Sequence, residues 1–457
     1  MKCSSRALSF AVVLGTAALF SGGCRDESTA PERGPQPALR ADADRYIVLL
    51  KETRAATAAA AATADVARVG GRIERSQGKI GVLQVRGGPG VAAELRKRPD
   101  VEAVVKDRKV QWLPPRDRQL GGNARLRAQT NQRGAQFFQM FQWNIKKIQA
   151  QRAWNVSNQG AGVTVCLLDS GIDPRQIDLQ GKLDLGNSAS FVGNERADRD
   201  FAAHGTYMAS IITSNGLGIA SVAPDARVCS VKVLERDGTG TFGDLIAGMF
   251  YVGELGVDVA NMSLGALLPR NDPDVRALTR ALQRAANFAT NHGVLLVAAA
   301  GNDGANLNDP DLLALPAGLD HVISAGATGP IGQRRFDRIA AYSNVGKAGV
   351  DVFAPGGDFG FAESVVQDLI LGACSPSFPD PAFACDDRIT YFFAGGTSQS
   401  AAHVSGEAAV IESELPGDQT PAQLTACILE TADPLNNPSL TANGRINVLE
   451  GQDCKGA

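Results

Sequence analysis

Histidine, aromatic side chains and net charge are all scarce in this sequence. With 48 acidic against 45 basic residues the formal charge is only −3. No basic field is available to neutralise a phosphate backbone, which argues against nucleic acid as a partner. Aromatic residues make up 6%, yet hydrophobic residues reach 44%, an ordinary globular composition. None of the eight cysteines is spaced as in a zinc site. The length, 457 residues, exceeds what one compact core usually holds, so a large domain and at least one small one are expected.

The N-terminus carries an export pattern. Lys2 and Arg6 precede an apolar run from Ala7 to Phe20, which ends in Ser21-Gly22-Gly23-Cys24. That run is short for a bilayer span, and the basic, apolar and small-residue order reads as a secretory signal over 1–23. Cys24 also resembles the lipidated first residue of a bacterial lipoprotein. That gives a secreted or cell-envelope protein, lipid-anchored through Cys24 in one reading and free in the other. Export permits disulfides. Cys374 with Cys385, and Cys427 with Cys454, are the sensible pairs; Cys166 and Cys229 lie in apolar runs and read as buried thiols.

Residues 24–41 are polar and Pro-rich, a linker. Residues 42–113 read as strand (Tyr46–Leu50), helix (Ala55–Val69), strand (Ile80–Val85), helix (about Val91–Arg98) and strand (Val101–Val110), a small α+β module. Residues 114–140 begin Pro114-Pro115 and form an exposed linker suited to proteolytic nicking. Beyond, in 141–457, apolar runs at Val163–Gly171, Ala226–Leu234, Val257–Gly265 and Val294–Asn302 alternate with helical stretches at Asp244–Leu255 and Asp274–Asn291. This predicts a three-layer α/β domain with a parallel sheet covered on both faces. Asp169, Asn261, Ser263 and Asn302 fall at the carboxyl ends of the predicted strands, where such sheets gather their chemistry.

A serine hydroxyl needs a base to take its proton, and the base needs an orienting group. Gly395–Gly406 (GGTSQSAAHVSG) puts Ser398 after two glycines at the start of a small-residue helix, where free N–H groups favour negative charge. Of the four histidines, His292 suits a helix C-terminus, His321 precedes a strand and His403 lies inside the Ser398 helix. His204 opens HGTYMAS and remains as the base.

Leu167–Asp173 (LLDSGID), His204–Ser210 (HGTYMAS) and Gly396–Gly406 resemble the three catalytic motifs of the subtilase family, in its chain order of Asp, His, Ser. The resemblance runs from about residue 141 to 450, and the 42–113 module is similar to the family's inhibitory prosegment. It implies a serine endopeptidase made as an autoinhibited precursor that acts on polypeptides, as a monomer. In it Asp169 orients His204, His204 serves as base and then acid, and Ser398 attacks. Asn302 corresponds to the oxyanion-hole asparagine. Gly238-Thr239-Gly240 and Ser263-Leu264-Gly265 match the edge segments that bind an extended peptide. No cofactor is required for the chemistry. Many relatives hold a structural calcium in the loop corresponding to Ser214–Ala223, which is shorter here, so no ligands are assigned.

Two departures stand out. Ala402 replaces a proline usual in the serine helix, and Tyr207 replaces a histidine common in the second motif. Asp303, beside Asn302, reads as a solvated acid before it reads as a selector of basic side chains. A literal GxGxxG at Gly238–Gly243, with Asp258 beyond, raises a dinucleotide site. It starts too far from its strand and on the wrong strand of the sheet. The rival from another class is a catalytically inactive surface lipoprotein acting as a binding scaffold.

Overall fold

The computed structural model describes residues 40–51, 55–114, 120–125 and 135–454, apart from 382, 386, 416–418, 438–439, 442 and 453. The signal segment, Cys24 and most of the polar linker lie outside the described residues. Among the described residues, no helix is long and apolar enough to cross a membrane.

The large domain is built on a seven-stranded parallel sheet. Its strands lie in the order Val352–Pro355, Val322–Thr328, Leu295–Ala299, Val259–Met262, Thr164–Asp169, Arg227–Lys232 and Ala189–Ser190. The unbroken apolar runs follow from burial on both faces. In Thr164–Asp169, Val165 and Leu167 enter one core and Cys166 and Leu168 the other, because successive side chains point to opposite faces. Helices His204–Ile212 and Thr397–Glu414 pack on the first face; Phe242–Leu255 and Pro273–Asn291 pack on the second. The long Pro273–Asn291 helix starts where Asp272 accepts from the N–H groups of Asp274 (2.8 Å) and Val275 (3.3 Å). It lies close to the sheet because its inner face carries Ala277, Ala281, Ala285 and Ala289, all buried.

Cys374–Cys385 and Cys427–Cys454 are disulfide-bonded, as the spacing suggested. Cys166 and Cys229 are not free thiols: they too form a disulfide. They stand directly opposite each other on neighbouring parallel strands, with Cα atoms 4.4 Å apart. That adjacency depends on strand order, which the sequence does not display.

The N-terminal module is a four-stranded antiparallel sheet, in the order Arg72–Gln77, Val82–Arg86, Arg40–Leu50 and Val101–Gln111, with helices Ala55–Arg68 and Pro89–Arg96. The expected pattern lacked the Arg72–Gln77 strand. It is a charged edge strand (RIERSQ) in which only Gln77 is buried, so it shows no apolar alternation. One face of the sheet, with Tyr46, Val48, Leu83 and Val85, forms the module's own core. The other face, with Ile47, Leu49, Val82 and Val105, belongs to the same apolar cluster as the Phe242–Leu255 and Pro273–Asn291 helices.

Part of the stretch expected to be an exposed linker, 114–140, packs on the large domain. Its first residue, Pro114, is half-buried and follows the buried Trp112 and Leu113 that end the 42–113 module. Leu120–Arg125 pairs antiparallel with Thr390–Ala394, with Tyr391 opposite Ala124. Phe138–Phe141 forms a short helix whose Phe138 enters the main core.

Candidate active site

Asp169 ends the Thr164–Asp169 strand, and His204 is the first residue of its helix. His204 Nδ1 lies 2.8 and 2.9 Å from the two Asp169 carboxylate oxygens. Asp169 Oδ1 also accepts from Ser170 N at 2.6 Å. The close approach needs a glycine beside the histidine, since a Cβ on Gly205 would sit 2.1 Å from the Gly171 carbonyl oxygen. The residue before it, Ala203, holds a left-handed φ of 63° that Cβ ordinarily disfavours. Burial opposes charge on His204, but Asp169 and, behind it, Asp200 outweigh that and raise its pKa. The pair therefore stabilises an imidazolium once a proton arrives. The other ring nitrogen, Nε2, is buried without a hydrogen-bond partner.

Ser398 is the second residue of the Thr397–Glu414 helix and is 2% exposed. Its Oγ donates to the Ser263 carbonyl at 3.0 Å, while Ser263 Oγ donates to the Ser398 carbonyl at 2.8 Å. The two hydrogen bonds clamp the helix start to the end of the Val259–Met262 strand. Asn302 Oδ1 accepts from both the backbone N–H (2.8 Å) and the hydroxyl (3.0 Å) of Thr397. A backbone N–H can only donate, so the amide oxygen must face Thr397 and Nδ2 is turned away, free to donate elsewhere.

The predicted strand-end residues stand at the ends of three neighbouring strands in two hydrogen-bonded sets, Asp169 with His204, and Ser263 and Asn302 with the start of the Ser398 helix. Asn261 is buried, its Nδ2 donating to Ser263 Oγ (2.9 Å) and its Oδ1 accepting from Ser405 Oγ (3.1 Å). His403 is fully buried; its Nδ1 lies 2.7 Å from the Gln399 carbonyl and its Nε2 2.8 Å from Asn144 Nδ2. Burial lowers its pKa to about 4, so it stays neutral. His292 caps its helix, with Nδ1 2.7 Å from the Phe288 carbonyl. Asp303 accepts from Asn344 Nδ2 at 3.0 Å, which ties its carboxylate to the scaffold. Tyr207 is also structural: its hydroxyl donates to the Ile370 carbonyl at 2.5 Å and its ring lies against Phe392.

Sequence reasoning missed the polar support behind Asp169. Asp200 accepts from Ser170 Oγ (2.8 Å), Ala202 N (3.1 Å) and Thr206 N (2.8 Å). Lys232, fully buried, donates to the Ser170 carbonyl and pairs with Glu195 at 3.1 Å. The one available signal was a lysine inside the apolar run ARVCSVKVL, because a buried ammonium requires partners. Asp200 gave no signal, sitting among charged loop residues.

The glycine-rich segment Gly238–Gly243 holds peptide backbone. Thr239–Thr241 pairs antiparallel with Val101–Gln111, placing Val110 opposite Gly240 and Gln111 opposite Thr239. Gly238 O accepts from the N–H of Trp112 (3.1 Å) and of Leu113 (3.2 Å). From the opposite side Gly265 N donates to the Trp112 carbonyl at 3.2 Å. The Trp112 ring donates Nε1–H to Gly240 O at 3.1 Å and meets Phe242 edge-on. A Cβ on Gly240 would stand 2.6 Å from the Val233 carbonyl oxygen and 3.2 Å from the Trp112 ring. Of the predicted edge residues, Gly238, Gly240 and Gly265 touch this strand, Ser263 holds Ser398, and Leu264 is packed in the core. The strand ends in a cavity lined by Leu113, Pro114, His204, Tyr207 and Gln399.

The sequence matches the peptidase S8 family, described as "Subtilase family", over residues 160–450. The chain belongs to the subtilase family. It is 33% identical to Subtilisin BL of Lederbergia lenta over 307 residues, covering 67% of this chain and 96% of the relative. With the thermophilic serine proteinase of Bacillus sp. strain AK1 it shares 31% over 315 residues, 68% of this chain and 67% of that one. Among solved structures it resembles a lanthipeptide protease at a TM-score of 0.62 and 26% identity, covering 72% of this chain and 99% of that one. It shares the fold of the epidermin leader peptide processing serine protease of Staphylococcus aureus at a TM-score of 0.71, with 90% of this chain and 97% of that one covered at 21% identity. This subtilase is a serine endopeptidase.

In this subtilase the Ser214–Ala223 loop does not fit a calcium ion. The Asp178 carboxylate accepts from the N–H groups of Leu217 (2.7 Å), Gly218 (2.9 Å) and Ile219 (3.1 Å) and from Tyr391 OH (2.7 Å). Donors converge on the acid, whereas calcium requires converging oxygens. Among the described residues, no group of three or more His, Cys, Asp or Glu side chains is arranged for a metal. Asp178→Asn keeps the shape but turns an NH₂ toward these donors, and an orphaned buried donor costs about 1–3 kcal/mol. The expected result is a lower midpoint in thermal unfolding of Asp178→Asn; a midpoint equal to the parent's contradicts this account of the loop.

Proposed function

We propose that this protein is an exported subtilase made as a precursor, in which Asp169, His204 and Ser398 form the catalytic triad. In this reading His204 Nε2 removes the Ser398 proton as Oγ attacks a peptide carbonyl, and Asp169 stabilises the imidazolium formed. The developing oxyanion is met by Asn302 Nδ2 and the Ser398 backbone N–H. His204 then protonates the leaving nitrogen, and water resolves the acyl-enzyme. Substrates lie extended between Gly238–Gly240 and Ser263–Gly265. The chemistry needs no cofactor, and export with or without a lipid on Cys24 follows from the N-terminal pattern.

The observation that carries the reading is the Gln111-Trp112-Leu113 segment, seated between those two edges and ending at the cavity that His204 lines. It is why residues 42–113 are read as an inhibitor that occupies the substrate's place. The docking contacts pair basic prosegment residues with acidic partners: Arg75 with Asp244 (2.6 Å), Lys109 with Glu235 (2.7 Å) and Arg108 with Asp274 (2.6 Å). Glu102 reverses the sign, meeting Arg280 (2.7 Å) and Arg284 (2.6 Å).

Asp107 gives the interface a pH dependence. It is buried against the Phe242–Leu255 helix and accepts from Gly243 N at 3.0 Å. Burial, with Asp244 nearby, raises its pKa from an ordinary 3.8 to about 7, against the lowering by the Gly243 N–H. The docked state therefore holds a proton that the free prosegment releases. Docking is at full strength below about pH 4, weakens by up to about tenfold per pH unit towards 7, and is flat above. The test is inhibition of the protease, freed of its prosegment, by residues 42–113 added back. The expected result is competitive inhibition that weakens over this interval, and a shallower dependence with Asp107→Asn. No inhibition at any pH contradicts the inhibitor reading; identical pH profiles contradict the role of Asp107.

A further inference from the structure

The strand in the cleft has a register, and the register assigns a place to Pro114. Trp112 accepts from Gly265 N, and the chain then runs through Leu113 to Pro114 in the cavity beside His204. The opposing segment runs the other way, from Gly265 to Ser263, whose carbonyl meets Ser398. The two segments are antiparallel, so two residues on from the Trp112–Gly265 pair residue 114 faces Ser263. An ordinary residue at 114 would donate its N–H to the Ser263 carbonyl. Proline has none, and that carbonyl instead accepts the Ser398 hydroxyl at 3.0 Å.

We propose that Pro114 and Pro115 make the prosegment a substrate-like plug whose seated bond the protein's own serine cannot cut, so that maturation begins at another bond by the action of a second molecule. The inference rests on the triad and prosegment reading above. By that register residue 114 is the one whose carbonyl Ser398 would attack. Cutting there would join Ser398 Oγ to the Pro114 carbonyl carbon, pass the hydroxyl proton to His204, and return it to the nitrogen of residue 115 as the C–N bond breaks.

Both prolines obstruct those steps. Pro114 leaves the Ser263 carbonyl to hold the Ser398 proton, the proton that His204 must remove. Pro115 follows in the sequence and lies outside the described residues. As a proline it carries on its nitrogen a ring carbon where an ordinary leaving group carries hydrogen, which makes it a poorer leaving group for a general acid to protonate. The edge hydrogen bonds and the Trp112 ring, buried against Gly240 and Phe242, still hold the plug in place. Affinity and cleavability are thereby separated in one segment.

The experiment is maturation of the full-length precursor over a range of dilutions, with N-terminal sequencing of the product. Wild type is expected to mature with a half-time that lengthens on dilution, to an N-terminus beyond residue 115. Pro114→Gln/Pro115→Ala is expected to mature about tenfold or more faster, independently of dilution, with residue 115 at its N-terminus. In a Ser398→Ala background the same two changes leave the unfolding midpoint of the precursor unaltered, which separates unblocking from misfolding. A wild-type product that begins at residue 115 at a dilution-independent rate overturns the proposal. So does a double variant that folds but matures like wild type. If Ser398→Ala precursor matures unaided, the triad reading fails instead.

Discussion

Replacing Ser398 by alanine is expected to abolish peptide hydrolysis and to leave the proposed precursor at full length. The geometry gives the reason. Ser398 stands at the start of a buried helix, clamped through Ser263 to the end of the strand that neighbours the Asp169 strand. Alanine removes the nucleophile and one hydrogen bond but only one atom, and the Ser263 hydroxyl still donates to the backbone carbonyl at 398, so the fold is expected to survive. The expected fall in kcat is about 10⁶, a magnitude measured in subtilisin itself and not calculated from this structure. Steady-state hydrolysis of a chromogenic peptide by prosegment-free protein checks the rate, and gel analysis of the precursor checks maturation. A Ser398→Ala protein that hydrolyses peptides at a comparable rate removes Ser398 from the mechanism.

Asn302→Ala is expected to keep the fold and the substrate affinity and to lose most of the turnover. Both Thr397 groups hold the Asn302 oxygen, so its Nδ2 is a fixed donor with no other bond to give up. Such a donor strengthens as the carbonyl oxygen becomes an oxyanion, which lowers kcat on removal while KM changes little. The expected loss is ~10²–10³ in kcat, again a figure measured in subtilisin. The truncation also deprives Thr397 N of its acceptor, a stability cost of about 1 kcal/mol that denaturant titration resolves. A near-normal kcat, or a loss confined to KM, contradicts the assignment.

Much of this was legible in the sequence because the chemistry sits where apolar runs stop. Thr164–Asp169 and Val259–Met262 are buried on both faces, so the first polar residues after them had to lie at the sheet's carboxyl edge. Four histidines left few choices of base, and His403 is neutral and buried, as its place within a helix suggested. What stayed hidden depends on neighbours distant in the chain. The Cys166–Cys229 bond needs the strand order. Asp200 and Lys232 act through Ser170, and only the folded loop brings them there. Pro114-Pro115 reads as the opening of an exposed linker until the strand before it is seen in the cleft.

The glycines at 238 and 240 show why a motif alone misleads. They satisfy a dinucleotide pattern letter by letter, yet a β-strand of the same chain lies on them. Backbone that accepts a strand closely and backbone that accepts a phosphate closely both call for the residue without a Cβ. Only the occupant distinguishes them.

Fluorophosphonate labelling followed by peptide mass mapping tests the central claim most directly, because the reagent modifies only a serine already activated by its base. The account predicts one adduct, on Ser398, in protein freed of residues 42–113, with little labelling of the intact precursor and none in His204→Ala. No adduct after removal of the prosegment, or an adduct on a different serine, would contradict it and favour a subtilase fold kept as a binding scaffold.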